Sequence, residues 1–99
     1  MAETYTSGIW HVKEGEEDDF VSAWRDFVEW GATFAGSGSF RLVRDAEDSA
    51  KFMSFAPWET FAAQDAWKAD PEFPARIGRV RQHATDFTAS VFELVTQVN

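Results

Sequence analysis

The chain has 99 residues, no cysteine, a net charge of −8 and 16% aromatic residues. That length suits one domain, residues 1–99, able to bury a core without staples; the lack of cysteine excludes a disulfide framework, a thiolate metal cluster and a thiol nucleophile. The acidic balance repels phosphate backbones, no apolar run reaches the length of a membrane span, and "MAETYTSGIW" lacks the basic and apolar segments of a secretory leader, so the expectation is a cytoplasmic protein without nucleic-acid or membrane partners.

Residues 4–13, "TYTSGIWHVK", are rich in β-branched and aromatic types and predict a strand, broken by Gly15. In 16–34, Phe20, Trp24, Phe27, Gly31 and Phe34 recur at steps of four and three, the stripe of an amphipathic helix, with Trp30 on its flank. The acids Glu16 to Asp19 suit the positive end of that helix, and they lack the glycine and ligand spacing of a calcium loop. "AGSGS" reads as a turn, 40–46 as a second strand, "AEDS" as a hairpin turn and 50–56 as a third strand that Pro57 should end. A short helix is expected over 58–68. Asp70 and Pro71 then restart the helix as N-cap and first residue, with Phe73, Ile77, Val80, Ala84 and Phe87 on one face. Residues 88–98 predict the last strand.

The order β-α-β-β-α-α-β, with the later helices taken as one broken crossover, is the split-βαβ pattern: an α+β, ferredoxin-like fold with a four-stranded antiparallel sheet and helices on one face. A sheet open to water on one side should alternate apolar and polar residues. Here Phe52 and Ala56 oppose Met53 and Phe55, while Val91 and Val95 oppose Phe92, Leu94 and Val98, so both faces are apolar. The simplest cover for the second face is a second copy of the chain, which makes a homodimer the expected assembly.

At this point the chain resembles the antibiotic-biosynthesis-monooxygenase-like group of the dimeric α+β barrel superfamily, over about residues 8–95. The resemblance rests on "IWHVKEGEEDDFVSAW" for the first strand, glycine turn and opening helix, and on "GSFRLVRDAEDSAKFMSFAPWETFAAQDAWKADPEF" for the hairpin, Trp58, Trp67 and Phe73. It implies a dimeric barrel with a pocket between helices and sheet in each subunit. It also implies activities such as cofactor-free oxygenation of phenols and quinols, or haem degradation. The haem-degrading branch carries a helix tryptophan, a histidine ten residues later and a first-strand asparagine. Trp67 fits the first, but Ile77 and Gly8 stand at the others, and isoleucine cannot ligate iron. The reading that follows is a cofactor-independent monooxygenase acting on a small aromatic phenol or quinol with O2, requiring neither metal nor cofactor. A second reading is a non-catalytic ligand-binding or structural dimer, and a third a haem-binding protein.

Such an oxygenase needs aromatic walls, a basic or cationic group near the phenol oxygen and exclusion of water. Arg76, Arg79 and His83 fall at i, i+3 and i+7 of the expected last helix, which puts them on one side. Histidine titrates near neutrality, so His83, helped by Arg76, is the candidate catalytic base, and His11 beside Trp10 is the other. The plainer alternatives are a helix-edge role for His83, a sheet-face or dimer contact for His11 and surface pairing with acids for the arginines. The serines lack a nucleophile elbow, and "GSGS" lies between helix and strand, the wrong order for a phosphate loop. Trp58 and Trp67, nine residues apart, would sit on opposite sides of one helix, with Phe61 and Ala62 beside Trp58 on the packed face. Trp67 would then face a pocket, a dimer contact or the bend after Pro71; the resemblance implies the pocket. Trp67, Trp58, Trp10, His11 and Phe73 are the candidate substrate-binding residues.

Overall fold

The computed structural model describes residues 3–99. Strand β1 (Thr4–Val12) leads to helix α1 (Glu17–Gly31), then to β2 (Arg41–Arg44) and β3 (Lys51–Trp58). Helices α2 (Phe61–Lys68) and α3 (Phe73–Arg81) follow, and β4 (Ala84–Glu93) completes the sheet. The strand order is β2-β3-β1-β4, every pair antiparallel. This is the expected α+β, ferredoxin-like architecture.

The sheet has one face under the helices and one away from them. Along β1 burial alternates strictly: Thr4, Thr6, Gly8, Trp10 and Val12 are buried, and the residues between them are only half-buried. Across from these lie Phe52 and Ala56 of β3, both buried, so the core face runs across the central strands. Helix α1 closes over it with Phe20, Trp24, Phe27 and Gly31 of the expected stripe and with Val28; it ends at Gly31, before Phe34, and its first turn carries Glu17, Asp18 and Asp19. The opposite face carries Ile9, Phe55, Met53, Val43 and Phe92, of which the last three are 40%, 44% and 55% exposed. Two apolar faces are therefore present, as the strand patterns predict.

Several local expectations fail. Pro57 does not end β3. A strand residue's nitrogen and oxygen point the same way, and the Pro57 oxygen accepts from Gly38 N at 2.8 Å, beyond the end of β2. Its nitrogen therefore faces the side where no ladder donor is required, and pairing with β1 continues through Pro57 and Trp58. Trp58 thus lies in a strand, and α2 starts later, where Thr60 Oγ1 accepts from Ala63 N. Phe61 and Ala62 are exposed, and the packed side of α2 is Gln64 and Trp67. Helix α3 ends at Arg81, so Ala84 and Phe87 belong to β4, which begins earlier than expected and stops at Glu93. The restart of α3 is also displaced: the Asp70 carboxylate accepts from Glu72 N in a turn, and Pro74 lies in the helix's first turn.

Candidate functional site

Between the sheet and all three helices lies an apolar cavity of about 70 Å³. Thr6, Gly8, Trp10, Ser54, Phe87 and Ala89 form its floor; Trp24, Phe27 and Val28 of α1, Trp67 and Lys68 of α2, and Phe73 and Ile77 of α3 close it above. Gly8 makes the floor possible. A Cβ there would lie 2.6 Å from the Phe87 ring and 3.1 Å from both Ser54 Oγ and Trp10 Nε1. Without it, Phe87 stacks on Trp10 at 3.9 Å and 24°, and Trp10 Nε1 donates to Ser54 Oγ at 2.9 Å.

Trp67 is the centre of the aromatic wall. It stacks on Trp58 at 5.2 Å and 26°, meets Phe73 edge-on at 5.0 Å, and touches Phe27 and Phe40. Gly31 lets α1 approach it, since a Cβ there would lie 3.2 Å from the Trp67 ring. The opposite-sides argument for the two tryptophans fails because Trp58 is not on the helix, and both rings share one core, 1% and 5% exposed. Their nitrogens differ. Trp58 Nε1 donates to Thr6 Oγ1 at 3.0 Å, whereas Trp67 Nε1 is buried and has no hydrogen-bond partner among the described residues. Nearly every buried donor in a folded protein has a partner, because leaving one bare costs about 1–3 kcal/mol.

The polar groups around the cavity are mostly donors. Thr6 and Ser54 each accept an indole N–H, which leaves each hydroxyl proton for another acceptor. Lys68 is the only charged residue lining the cavity among the described residues, and no carboxylate lines it. It is half-buried, and burial lowers the pKa of its amine, opposed by the attraction of Asp65. No salt bridge holds it among the described residues.

Of the residues singled out from sequence, the cavity brings together Trp10, Trp67 and Phe73. Trp58 packs behind Trp67 instead of lining the space. His11 is on the face of β1 turned away from the helices, paired with Lys51 and Asp86 across the ladders. His83 follows α3 instead of riding on it; its Nδ1 lies 2.9 Å from Glu16 Oε1, and its backbone oxygen accepts from Lys13 N. Arg76 pairs with Glu72 at 3.0 Å and lies over the Trp30 ring at 4.7 Å. Neither His83 nor Arg76 lines the cavity, because the helix that would align them stops short of His83. Sequence reading passed over Lys68, Ser54 and Thr6. The signal for Lys68 was its place next to Trp67, at the C-terminal end of a short helix.

No group of histidine, cysteine or carboxylate side chains suited to holding a metal occurs among the described residues, and no described helix is long and apolar enough to cross a membrane. The profile of the family described as antibiotic biosynthesis monooxygenase matches residues 9–77. A mutant of SnoaB, a cofactor-independent oxygenase from Streptomyces nogalater, superposes with a TM-score of 0.87 at 20% identity, covering 97% of this chain and 95% of that one. A conserved protein from Methanosarcina mazei Go1 gives 0.83 at 11% identity, over 93% and 92%. A structure described as an antibiotic biosynthesis monooxygenase gives 0.76 at 21% identity, over 97% and 100%. Likenesses at these identities show the shared fold. Among curated proteins, no sequence matches the chain.

Proposed function

The chain belongs to the antibiotic biosynthesis monooxygenase family, and from that premise we propose that its cavity is the site of cofactor-independent oxygenation of a small phenol or quinol. The observation that carries this reading is the bare Nε1–H of Trp67, a residue that lines an aromatic cavity. A ligand oxygen is the partner that donor lacks. The cavity of about 70 Å³ is smaller than the roughly 150 Å³ void known to take benzene. Ligand entry must therefore move its walls, and the same movement opens the sealed nitrogen to the guest.

The chemistry asks little of the protein. A ring C–H and the phenolic O–H become two carbonyls of a quinone. One atom of O2 enters the ring, the other leaves as water with the two hydrogens, and the ring supplies the electrons. Trp10, Phe87, Phe27 and Trp67 hold the flat ring and exclude water. The hydroxyls of Ser54 and Thr6 and the Trp67 N–H offer protons to its oxygens, where charge accumulates once the phenol ionises. An oxygen electrode tests this with a panel of simple phenols and quinols: one O2 should be consumed per quinone formed, and Trp67→Phe should slow the uptake at least tenfold. Uptake that Trp67→Phe leaves unchanged would remove Trp67 from the reaction.

The small cavity volume favours one other reading, a ligand-binding or structural dimer without turnover. Tight binding of a phenol with no O2 uptake by any of the panel would select it. Both readings share a homodimer in which the apolar outer face of the sheet packs on its copy. Sedimentation should give twice the chain mass, and Phe92→Glu should halve it, since a charge buried in that contact has no partner. A folded wild-type monomer at micromolar concentration would overturn the pairing.

A further inference from the structure

We propose that Lys68 is the counter-ion of the bound aromatic, and that the ligand enters as a neutral weakly acidic phenol and is held as its phenolate. This rests on the reading of the cavity given above and goes further by naming the charge state of the ligand and the residue that sets it.

Three observations lead here. The first is composition. The cavity lining holds apolar side chains, small hydroxyls and one charged residue, Lys68, with no acid among the lining residues; Asp65, one turn back on α2 and outside the lining, attracts the amine without forming a salt bridge among the described residues. A half-buried lysine on an apolar lining, with no salt bridge among the described residues, keeps part of the cost of desolvating its charge. The second is position. Lys68 follows Trp67 directly and is the last residue of α2, so the ammonium and the bare indole N–H belong to one turn of helix. Consecutive helix side chains point about 100° apart, so the two residues are joined through the cavity that both line, and the charged one suits a ligand oxygen that carries charge. The third is energetic direction. Burial destabilises the charged amine when the cavity is empty. A phenolate beside it reverses that penalty, so ligand ionisation and lysine protonation support each other.

The net charge of the whole chain decides how the anion gets there. At −8, the protein's field repels ligands that are already anionic. A neutral phenol meets no such barrier, and it loses its proton to bulk water only after it has reached the ammonium. A neutral phenol should therefore associate faster than a carboxylate of similar size.

The test uses 4-nitrophenol, whose phenolate absorbs visible light and whose phenol does not. Tryptophan fluorescence of the full chain reports binding, and the visible band reports the ionisation of the bound dye as pH is varied. The bound dye should ionise at lower pH than free dye, with the phenolate-to-phenol ratio raised about tenfold or more at a fixed pH, which is one pKa unit. Lys68→Met should retain the quenching and lose the shift, and Lys68→Arg should restore it. Lys68→Gln, checked for a urea midpoint no lower than that of wild type, serves in place of the Met variant should that one fold poorly. Benzoate should quench more slowly after mixing than the phenol, and added salt should narrow that difference in rate. Equal shifts in wild type and the Met or Gln variant would overturn the role of Lys68 while leaving the cavity reading intact. Absence of any quenching by the dye would overturn the cavity reading, and this inference with it.

Discussion

Trp58 and Trp67 stack on each other and are buried almost equally, yet they belong to two different regions. On the Trp58 side every buried side-chain donor has a partner. Trp58 Nε1 donates to Thr6, Gln64 Nε2 donates to Thr4 Oγ1 at 2.9 Å, and Thr4 Oγ1 donates to the Trp58 oxygen at 3.1 Å. This network ties α2 to the sheet at the end where β1 and β3 meet. On the Trp67 side the donor is bare, the neighbouring lysine is unpaired among the described residues, and space remains. One short helix supplies both regions, through Gln64 and through Trp67 and Lys68. Burial alone does not separate scaffold from site here. Satisfaction of the buried polar atoms does, because a closed network stabilises the fold by itself and an open one gains by taking a guest.

The sharpest way to break that contrast is to remove each indole nitrogen in turn. Trp58→Phe should cost about 1–3 kcal/mol in urea unfolding, because it deletes a buried hydrogen bond and strands the Thr6 hydroxyl. Trp67→Phe removes a similar volume but no hydrogen bond, and it also removes a bare donor. Its cost should be smaller, under about 1 kcal/mol, while phenol quenching falls. Equal costs for the two variants would erase the distinction between the regions.

A milder perturbation acts on the space between them. Gly8→Ala places a methyl group into the Phe87 ring edge and beside the Trp10–Ser54 bond. A ring edge can shift, so the cost should be roughly 1 kcal/mol, at the low end for overpacking. Affinity for a phenol should fall much more than stability, since the methyl occupies the cavity floor. A variant that binds as tightly as wild type would place the ligand elsewhere.

What was legible in the sequence follows the same division. Periodic apolar residues gave the α1 stripe and the two-faced sheet, because burial repeats with the element's geometry and needs no knowledge of partners. The ends of elements were harder. Pro57 reads as a strand end unless one knows that β2 stops before it, and that depends on a neighbour distant in sequence. Extending α3 past Arg81 put His83 and Arg76 on one face, an alignment that vanishes once β4 begins at Ala84. Lys68 was missed because a lone lysine in a helix is ordinarily solvated; its setting arises only when three helices and the sheet converge on it. Trp67 was reached through family resemblance, and the rotation argument offered alongside rested on a helix that does not include Trp58.

The residues outside both regions should matter least. Arg76→Ala removes an i, i+4 pair with Glu72, of a kind that contributes about 0.3–0.5 kcal/mol, and the guanidinium's contact with the Trp30 ring, of a kind that contributes about 0.5–1 kcal/mol. Phenol quenching should be unchanged, as it should in His83→Gln. A loss of binding in either would extend the site beyond the cavity and blur the boundary drawn here.

The smallest signal is that of Lys68 without a ligand, visible only as a difference between two pH profiles. Burial lowers its folded pKa below the ordinary 10.5, while attraction to Asp65 works the other way. Below the folded pKa both states are protonated, and the desolvation penalty is full and constant. Between the folded value and 10.5 the unfolded chain binds more protons than the folded one, so stability from this group rises with pH. Lys68→Met keeps the packing of the stem and has no charge to desolvate. It should therefore be the more stable form at neutral pH, and the gap to wild type should close as pH rises toward that of free lysine. Comparing the two proteins at each pH cancels the other titrating groups. A gap that stays flat across that range would mean that the amine is as well solvated as an exposed one, and Lys68 would then belong with Arg76 rather than with Trp67.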